Sequence, residues 1–419
     1  NKRRKSFEAH VEITRPVPTI NQLAEKRAAL RQLIHAPPSD PAGCIQLPVD
    51  DHCPRSFGNR QQLLLSSLLT SYAFGGRVHA PNSSLLDCHG LMQFNLRERL
   101  SIDGGNSVAK LQSADACAQL SRPAFSLPRG QCLQVAWGGS KGHDQTSAWC
   151  LLRRPPSATR DALFALGPHA AFGSIFDAAF SLPINPMTPA AEPLDDTEFK
   201  IAVHVRHADA NDLGDLAVPA IEKAIAELTS PAFEAAARSC ALLVASDRRL
   251  TLRLFAGVAK RQGCRLVTSA RDEAVRDYSA EHGEDVGEVV LRDVFLLAQG
   301  HVLIGTWESS LTVLIQELIA ARSRYGVLNG NPYPPMVTYC FTGRIGGRAC
   351  MRPLPLLTDE RSHWFVTFDG NGAARIASSE ALERSMEWDE WHAQRDAPVM
   401  QAEVAPRPAS CQVRLMYKL

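Results

Sequence analysis

The segment His204-Val205-Arg206-His207-Ala208-Asp209 brings bases and an acid together at one point of the chain. The apolar alternation before it, Ile201, Val203 and Val205, reads as a strand, so His204 and Arg206 share the opposite face and reach the strand's carboxyl end together. A guanidinium is a fork of fixed donors suited to a diphosphate, and Asp209 could hold that fork in place. A strand end with solvated charges accounts for the same residues. A second segment, Gly305-Thr306-Trp307-Glu308-Ser309-Ser310, lies between an apolar run and a helix whose Leu311, Leu314, Ile315 and Leu318 form a stripe. Strand, short polar turn and helix N-terminus make an anion site, because unsatisfied backbone N–H groups meet the hydroxyls of Thr306, Ser309 and Ser310 there. Plain capping by Ser309 or Ser310 is the alternative. Glu308 must point away from a phosphate or contact a sugar hydroxyl, since like charges repel.

Asp293 falls on the helical stripe of Val289, Val290, Leu296 and Leu297, so a carboxylate interrupts an apolar face and needs a partner. The adjacent N–H donors of a guanine ring fit a carboxylate bidentately; an internal Arg or His would serve as well. Upstream, Arg55 to Gln61 precedes a helix. Gly58 permits a tight turn, and Asn59 or Arg60 at the helix start could face a cleft, although a turn and a cap alone explain the segment. Asp247 follows a short apolar run and is expected to cap the next helix.

These residues need a scaffold. From Lys200 onward, short runs with β-branched residues alternate with amphipathic helices, which implies a doubly wound parallel sheet that binds ligands at the carboxyl ends of its strands. Strands are expected at Lys200 to Val205, Ala241 to Ala245, Arg265 to Thr268, His301 to Gly305 and Tyr325 to Leu328. Helices are expected at Ala217 to Leu228, Arg249 to Gln262 with Gly263 as the stop, Val286 to Gln299, and Ser310 to Ala321. Before this part, Gln61 to Ala73 reads as a helix, and the pattern over 100–195 is weak. The expected organisation is a stem or linker over 1–43, with a helical patch at Leu23 to Leu33; an acceptor-side α/β domain over 44–182; a linker over 183–198; a nucleotide-binding domain over 199–350; and an extension over 351–419 with a helix near 379–395.

A chain of 419 residues is too long for one small binding module. With Lys plus Arg 45 against Asp plus Glu 44, a global electrostatic hold on nucleic acid is excluded as an expectation, so an anionic ligand needs a local site. No apolar run is long enough to cross a bilayer. The start at Asn1 and the basic opening predict a fragment whose targeting segment lies upstream, so any membrane attachment is expected through an anchor outside this chain. The 11 cysteines include no C-x-x-C pair, which leaves no zinc-site spacing and no metal expected. Cys44, Cys53, Cys88, Cys117, Cys132 and Cys150 crowd a weakly patterned region, which suits disulfides in a secretory compartment, with buried thiols as the alternative. Asn82-Ser83-Ser84 is a glycosylation sequon.

In this order, the motifs resemble the fucosyltransferase superfamily of GT-B fold, which includes the α1,6-fucosyltransferases and the protein O-fucosyltransferases. The resemblance rests on Phe57-Gly58-Asn59-Arg60-Gln61 for a Gly-Asn-Gln-type turn, His204 to Asp209 for a His-x-Arg-Arg-x-Asp motif, Asp247, and Asp293 followed by Gly305 to Ser310. It implies two Rossmann-like domains facing a cleft, and inverting transfer of fucose from GDP-fucose to a glycan or protein acceptor without a required metal. It further implies no cofactor beyond the donor substrate, and a setting in the lumen of the Golgi or endoplasmic reticulum. Carried over by residue, Arg206 stabilises the leaving β-phosphate, His204 and Asp293 contact guanosine, and Thr306, Ser309 and Ser310 line the diphosphate. Gly58, Asn59, Arg60 and Asp209 complete the donor site. An acid is implied shortly after the motif; Asp212 and Asp215 are the candidates, Asp215 is taken as the base, and the equivalent position itself holds Gly214. The family's second Arg is His207 here, and Arg60 displaces the Gln of the first motif. Two alternatives follow from these departures: a GT-B transferase for another nucleotide sugar, and an inactive glycan-binding homologue.

Overall fold

The structure is a computed structural model, and the residues it describes are 20–39, 43–47, 57–79, 95–96, 100–101, 108–111, 118–135, 146–152, 154–166, 168–180, 197–206, 218, 221–222, 225–226, 228–229, 239–269, 285–305, 309–322, 336–338, 365–368 and 374–377. The fold is α/β with two parallel sheets, the class the sequence predicts. The first sheet comprises β1 (Cys44–Gln46), β2 (Arg77–His79), β3 (Leu100–Ser101), β4 (Val108–Leu111) and β5 (Cys132–Val135) in the order β3-β2-β1-β5-β4, with every described pairing parallel. Its helices are α1 (Ile20–His35), α2 (Phe57–Phe74), α3 (Thr146–Leu152), α4 (Ala158–Leu163) and α5 (Pro168–Ala179). The second sheet comprises β6 (Phe199–Val205), β7 (Cys240–Ser246), β8 (Arg265–Val267), β9 (Val302–Gly305) and β10 (Met336–Thr338) in the order β10-β9-β6-β7-β8, again all parallel. Helices α6 (Arg249–Gln262), α7 (Asp285–Leu297) and α8 (Ser310–Arg322) connect it. Residues 218–228 are helical where described, and β11 (Phe365–Phe368) pairs antiparallel with β12 (Ala374–Ala377).

Both faces of the second sheet are covered, so every residue of its central strand β6 is buried, including Lys200 and His204. Ile201, Val203 and Val205 face Val218, Ile221, Ile225, Phe255 and Val258. On the other side Ala202, Leu243, Ala245 and Leu303 face α7, α8 and the helices of the first half. The small residues Ala202 and Ala245 leave room for this crowded side. Helix α6 stops where expected: Gly263 takes the left-handed conformation at φ 68°, and its N–H bonds back to the last turn. Asp247 is not the cap of α6. The N-cap position is Arg248, without a side-chain cap bond, and its N–H donates to the Ser246 hydroxyl at 3.2 Å.

Residues 20–35 do not behave as a stem. Leu30 and Ile34 of α1 are buried in the main core, and the Tyr72 hydroxyl donates to the Ile34 carbonyl at 2.9 Å. Leu30 and Ile34, with Leu33 beside them, are therefore the docking face of a helix, which packs on α4 and α5. The expected strand Tyr325 to Leu328 lies outside the described residues, and Met336–Thr338 pairs with β9 as the edge strand. The expected helix near 379–395 also lies outside them.

Two described disulfides staple neighbouring strands. Cys44 and Cys132 are register partners on β1 and β5, with Cα atoms 4.6 Å apart. Cys240 opens β7 and joins Cys264, which leads into β8. Among the described helices none is long and apolar enough to cross a membrane.

Helix α8 belongs to both halves. Its buried residues include Ser310, Thr312, Val313, Leu314, Ile315, Gln316, Glu317, Leu318 and Ile319, so it is enclosed on every side rather than on a stripe. At its first turn the backbone of α2 comes so close that a Cβ on Gly58 would lie 2.6 Å from the Leu311 nitrogen. Midway, a Cβ on Gly173 of α5 would overlap the Glu317 carbonyl oxygen at 1.9 Å. Gln62 donates its amide to the buried Glu317 carboxylate at 2.8 Å, which supplies a partner that a carboxylate in the core requires. At the far end Arg322 pairs with Asp177 of α5 and lies over the Phe295 ring of α7.

Candidate functional site

The chain order of the second sheet reverses beside β6. From β6 the chain moves outward through β7 and β8, then returns to lay β9 on the other side of β6. The carboxyl ends of β6 and β9 therefore flank the topological switch point, the crevice where parallel sheets of this type bind ligands. His204 and Arg206 stand at the end of β6, and Ser309 and Ser310 follow the end of β9 by a few residues. The two strongest motifs thus meet at adjacent strand ends.

His204 is buried, and its Nδ1 lies 2.6 Å from the Thr312 Oγ1 in a hydrogen bond. Burial, reinforced by the Arg206 cation, lowers its pKa from 6.5 to about 3, so the imidazole is neutral at physiological pH. Arg206 follows directly on β6 and is partly buried. Ser309 is fully buried at the entry of α8, where its carbonyl accepts the first helical bond from the Val313 N–H at 3.1 Å. Among the described residues its hydroxyl has no hydrogen-bond partner. The capping alternative for Ser309 is therefore not realised: a buried hydroxyl stands unused at a helix N-terminus, where leaving it without a partner costs about 1–3 kcal/mol. Ser310 is also buried, with its Oγ against Gly58. The first and last sequence motifs are thus in contact across the two halves.

Asp293 sits on α7 over the same sheet face as His204, and its Oδ1 accepts a hydrogen bond from the Ser269 hydroxyl just beyond β8. The residue keeps some exposed surface while the carboxyl group itself is enclosed by protein. That enclosure raises its pKa from 3.8 to about 7, with the Ser269 bond pulling the other way. The partner of Asp293 is thus a hydroxyl, and the internal Arg or His considered from sequence is not the group bonded to it.

Asn59 and Arg60 lie in the first turn of α2, but their side chains fall outside the description, as do Asp209, Asp215, Thr306 and the neighbouring His207, Asp212 and Glu308 altogether. Two residues of the site escape the sequence reading. Thr312 sits off the apolar stripe of its helix, and Ser269 falls one residue beyond the expected strand Arg265 to Thr268, so neither is singled out by pattern. The one signal for Thr312 is Gly305, whose absent side chain leaves room for it: a Cβ there would lie 2.5 Å from Thr312 Cγ2. Among the described residues no three His, Cys, Asp or Glu side chains gather as a metal site.

No protein-family model matches the chain, and no curated protein does. Among solved structures, that of an Arabidopsis thaliana FUT1 mutant in complex with GDP overlaps with a TM-score of 0.41 and 13% identity over 75% of this chain and 73% of that one. NodZ alpha-1,6-fucosyltransferase co-crystallized with GDP overlaps at 0.39 with 15% identity, over 72% and 96% of the two chains. Fucosyltransferase NodZ from Bradyrhizobium gives 0.40 with 14% identity, over 71% and 96%. At these values the functional reading has to rest on the residues of this chain.

Proposed function

We propose that this chain is an inverting glycosyltransferase that moves fucose from GDP-fucose to a glycan or protein acceptor. The observation that carries the proposal is the switch point. Arg206 and the N-terminus of α8, with the unpartnered Ser309 hydroxyl, stand at adjacent strand ends where a ligand of a parallel sheet binds. Breaking the bond from the anomeric carbon to phosphate builds negative charge on the leaving GDP. A fixed guanidinium and a helix N-terminus stabilise that charge, and each such donor contributes a few kcal/mol, about 3, in the transition state. Asp293, once deprotonated, offers a carboxylate to the paired N–H donors of guanine, and His204 contributes to the same nucleoside pocket. Asp215 is the proposed base toward the acceptor hydroxyl, Thr306 and Ser310 the further diphosphate contacts, and Gly58, Asn59, Arg60 and Asp209 the remaining donor residues. No metal is proposed to take part. The division into an acceptor-side half over 44–182 and a donor half over 199–350 belongs to the same reading.

The disulfides Cys44–Cys132 and Cys240–Cys264 support an oxidising lumen as the working compartment, with the Golgi or endoplasmic reticulum proposed. The test is a thermal-shift panel, because a ligand that binds only the folded chain raises its stability. GDP should stabilise the protein and UDP, CDP and ADP far less, and GDP-fucose should be turned over in EDTA. Equal shifts with UDP and GDP would overturn the guanine assignment. Activity lost in EDTA and restored by Mn²⁺ would overturn the metal-free mechanism.

A further inference from the structure

The hydrogen bond between Thr312 and His204 joins two buried side chains from different elements, α8 and β6, and neither is free to turn away. A helical threonine divides between rotamers, because its hydroxyl can also bond a carbonyl of the preceding turn. Here the choice is made by Gly305. With no side chain at 305, the Thr312 methyl fills the space beside the end of β9, and a Cβ there would meet Cγ2 at 2.5 Å and Oγ1 at 3.3 Å. Seating the methyl against Gly305 leaves Oγ1 aimed at the imidazole. The Gly305 conformation is one any residue adopts, so the role of this glycine is space rather than backbone freedom.

We propose that Thr312 is the positioning residue for His204: its methyl wedged against Gly305, it donates its hydroxyl proton to Nδ1 and holds the imidazole in the tautomer protonated at Nε2. The bond length permits either direction of donation, since hydroxyl and neutral imidazole can each give or accept. The direction rests on the reading of this edge as a nucleotide-sugar site. A bare Nε2 would present a lone pair to the carbonyl and phosphate oxygens of such a ligand, whereas Nε2–H presents a donor, in keeping with Arg206 two residues on. Thr312 touches no reacting atom in this scheme. It acts through His204, so its loss should weaken donor binding and spare the chemical step.

The test reads the ring directly in the ligand-free protein. Long-range ¹H–¹⁵N correlation spectra of ¹⁵N-histidine-labelled chain, with the His204 signals identified by their loss in His204→Gln, should show a single tautomer with Nε2 protonated. Thr312→Val keeps the shape and removes the hydroxyl; the ring should then sample both tautomers, and GDP affinity should fall by about 5- to 30-fold, the loss of one ordering hydrogen bond. Turnover at saturating donor should stay within about threefold, because binding common to ground and transition states is what is lost. Thr312→Ser should restore the wild-type ring signals. Gly305→Ala should mimic Thr312→Val by displacing the methyl, and Gly305→Ala combined with Thr312→Ser should recover, since the clashing methyl is gone; this cycle stands in should Thr312→Val not fold. A ring protonated at Nδ1, or His204 signals unchanged in both Thr312→Val and Gly305→Ala, would overturn the assignment. If the wild type binds no GDP, the proposed function falls, while the ring spectra still decide the role of Thr312.

Discussion

His204 and Asp293 lie over one sheet face and titrate in opposite senses, which makes stability against pH a probe of the site. Burial and Arg206 take His204 from 6.5 to about 3. Between those values the unfolded chain binds a proton that the folded chain refuses, so the His204 contribution is full above 6.5 and is lost as pH falls. Enclosure takes Asp293 from 3.8 to about 7, with the Ser269 bond opposing. There the folded chain holds the extra proton, so this contribution is full below 3.8 and is lost as pH rises toward 7. Each slope is about 1.4 kcal/mol per pH unit inside its window, and over the shared range of roughly pH 4 to 6.5 the two cancel. Asp293→Asn should therefore unmask His204. Relative to the wild type, its unfolding free energy should drop by about 2 kcal/mol from pH 6.5 to about pH 5. His204→Gln should gain a similar amount over the same interval. Urea unfolding at each pH, followed by subtraction of the wild-type profile, removes every other titrating group from the comparison. Profiles of both variants running parallel to the wild type would show that neither group is enclosed as described, and the electrostatics of the site would have to be rebuilt.

Arg206→Ala should lower turnover by about 100-fold or more while leaving the ligand-free melting temperature unchanged, and Arg206→Lys should recover little, because an ammonium keeps the charge but loses the fork. His207→Arg, which restores the second arginine of the motif the segment resembles, should leave activity within a few-fold, since the alternation read from the sequence assigns position 207 to the face opposite His204 and Arg206. GDP affinity measured by calorimetry should rise about tenfold per pH unit up to about 7 and then level off, because the proposed guanine contact needs the Asp293 carboxylate ionised; Asp293→Asn should flatten the profile at the weak end. Gly173→Ala should destabilise the fold by about 3 kcal/mol in urea, at the upper end for overpacking, because the clash is with a backbone carbonyl that cannot rotate aside. Replacing Cys240 and Cys264 by serine should cost about 3 kcal/mol for opening a link across 24 residues, read by the same method under non-reducing conditions.

The second sheet is legible in the sequence because parallel strands covered on both faces read as continuous apolar runs. Cys240–Ala245 is such a run, Phe199–Val205 is marked instead by the alternation of Ile201, Val203 and Val205, and Gly263 marks the end of α6 by its conformation. The first sheet is not legible because its described strands are only 2 to 4 residues long, too short to show a period of two. Its register rests instead on a disulfide, Cys44 to Cys132, whose partner choice no spacing reveals. Helix α1 reads as part of a stem because its apolar face is narrow, and only the docking of Leu30 and Ile34 gives it a place. In the site, His204, Arg206 and the serines announce themselves by type and order. Thr312 and Ser269 do not, because a lone hydroxyl carries no pattern until the neighbour it bonds is known.

The enclosure of α8 bears directly on how the site is held. A helix N-terminus offers its N–H groups to an anion only if it is fixed in place, since electrostatic stabilisation depends on donors set before the charge develops. The sheet of the second half fixes α8 on one side only. The other side is set by the first half, through the bare backbone of Gly58 under the first turn, Gly173 at the middle, the Gln62 amide on Glu317 and the Asp177 carboxylate on Arg322. None of these contacts is apolar packing alone: two are backbone approaches that tolerate no side chain, and two are hydrogen-bonded charges, so each specifies position along the helix as well as contact. The placement of Ser309, Ser310 and Thr312 is therefore a property of both halves. The cost of Gly173→Ala should accordingly appear at the proposed donor site as well as in the core, although none of the residues proposed for that site lies on α5.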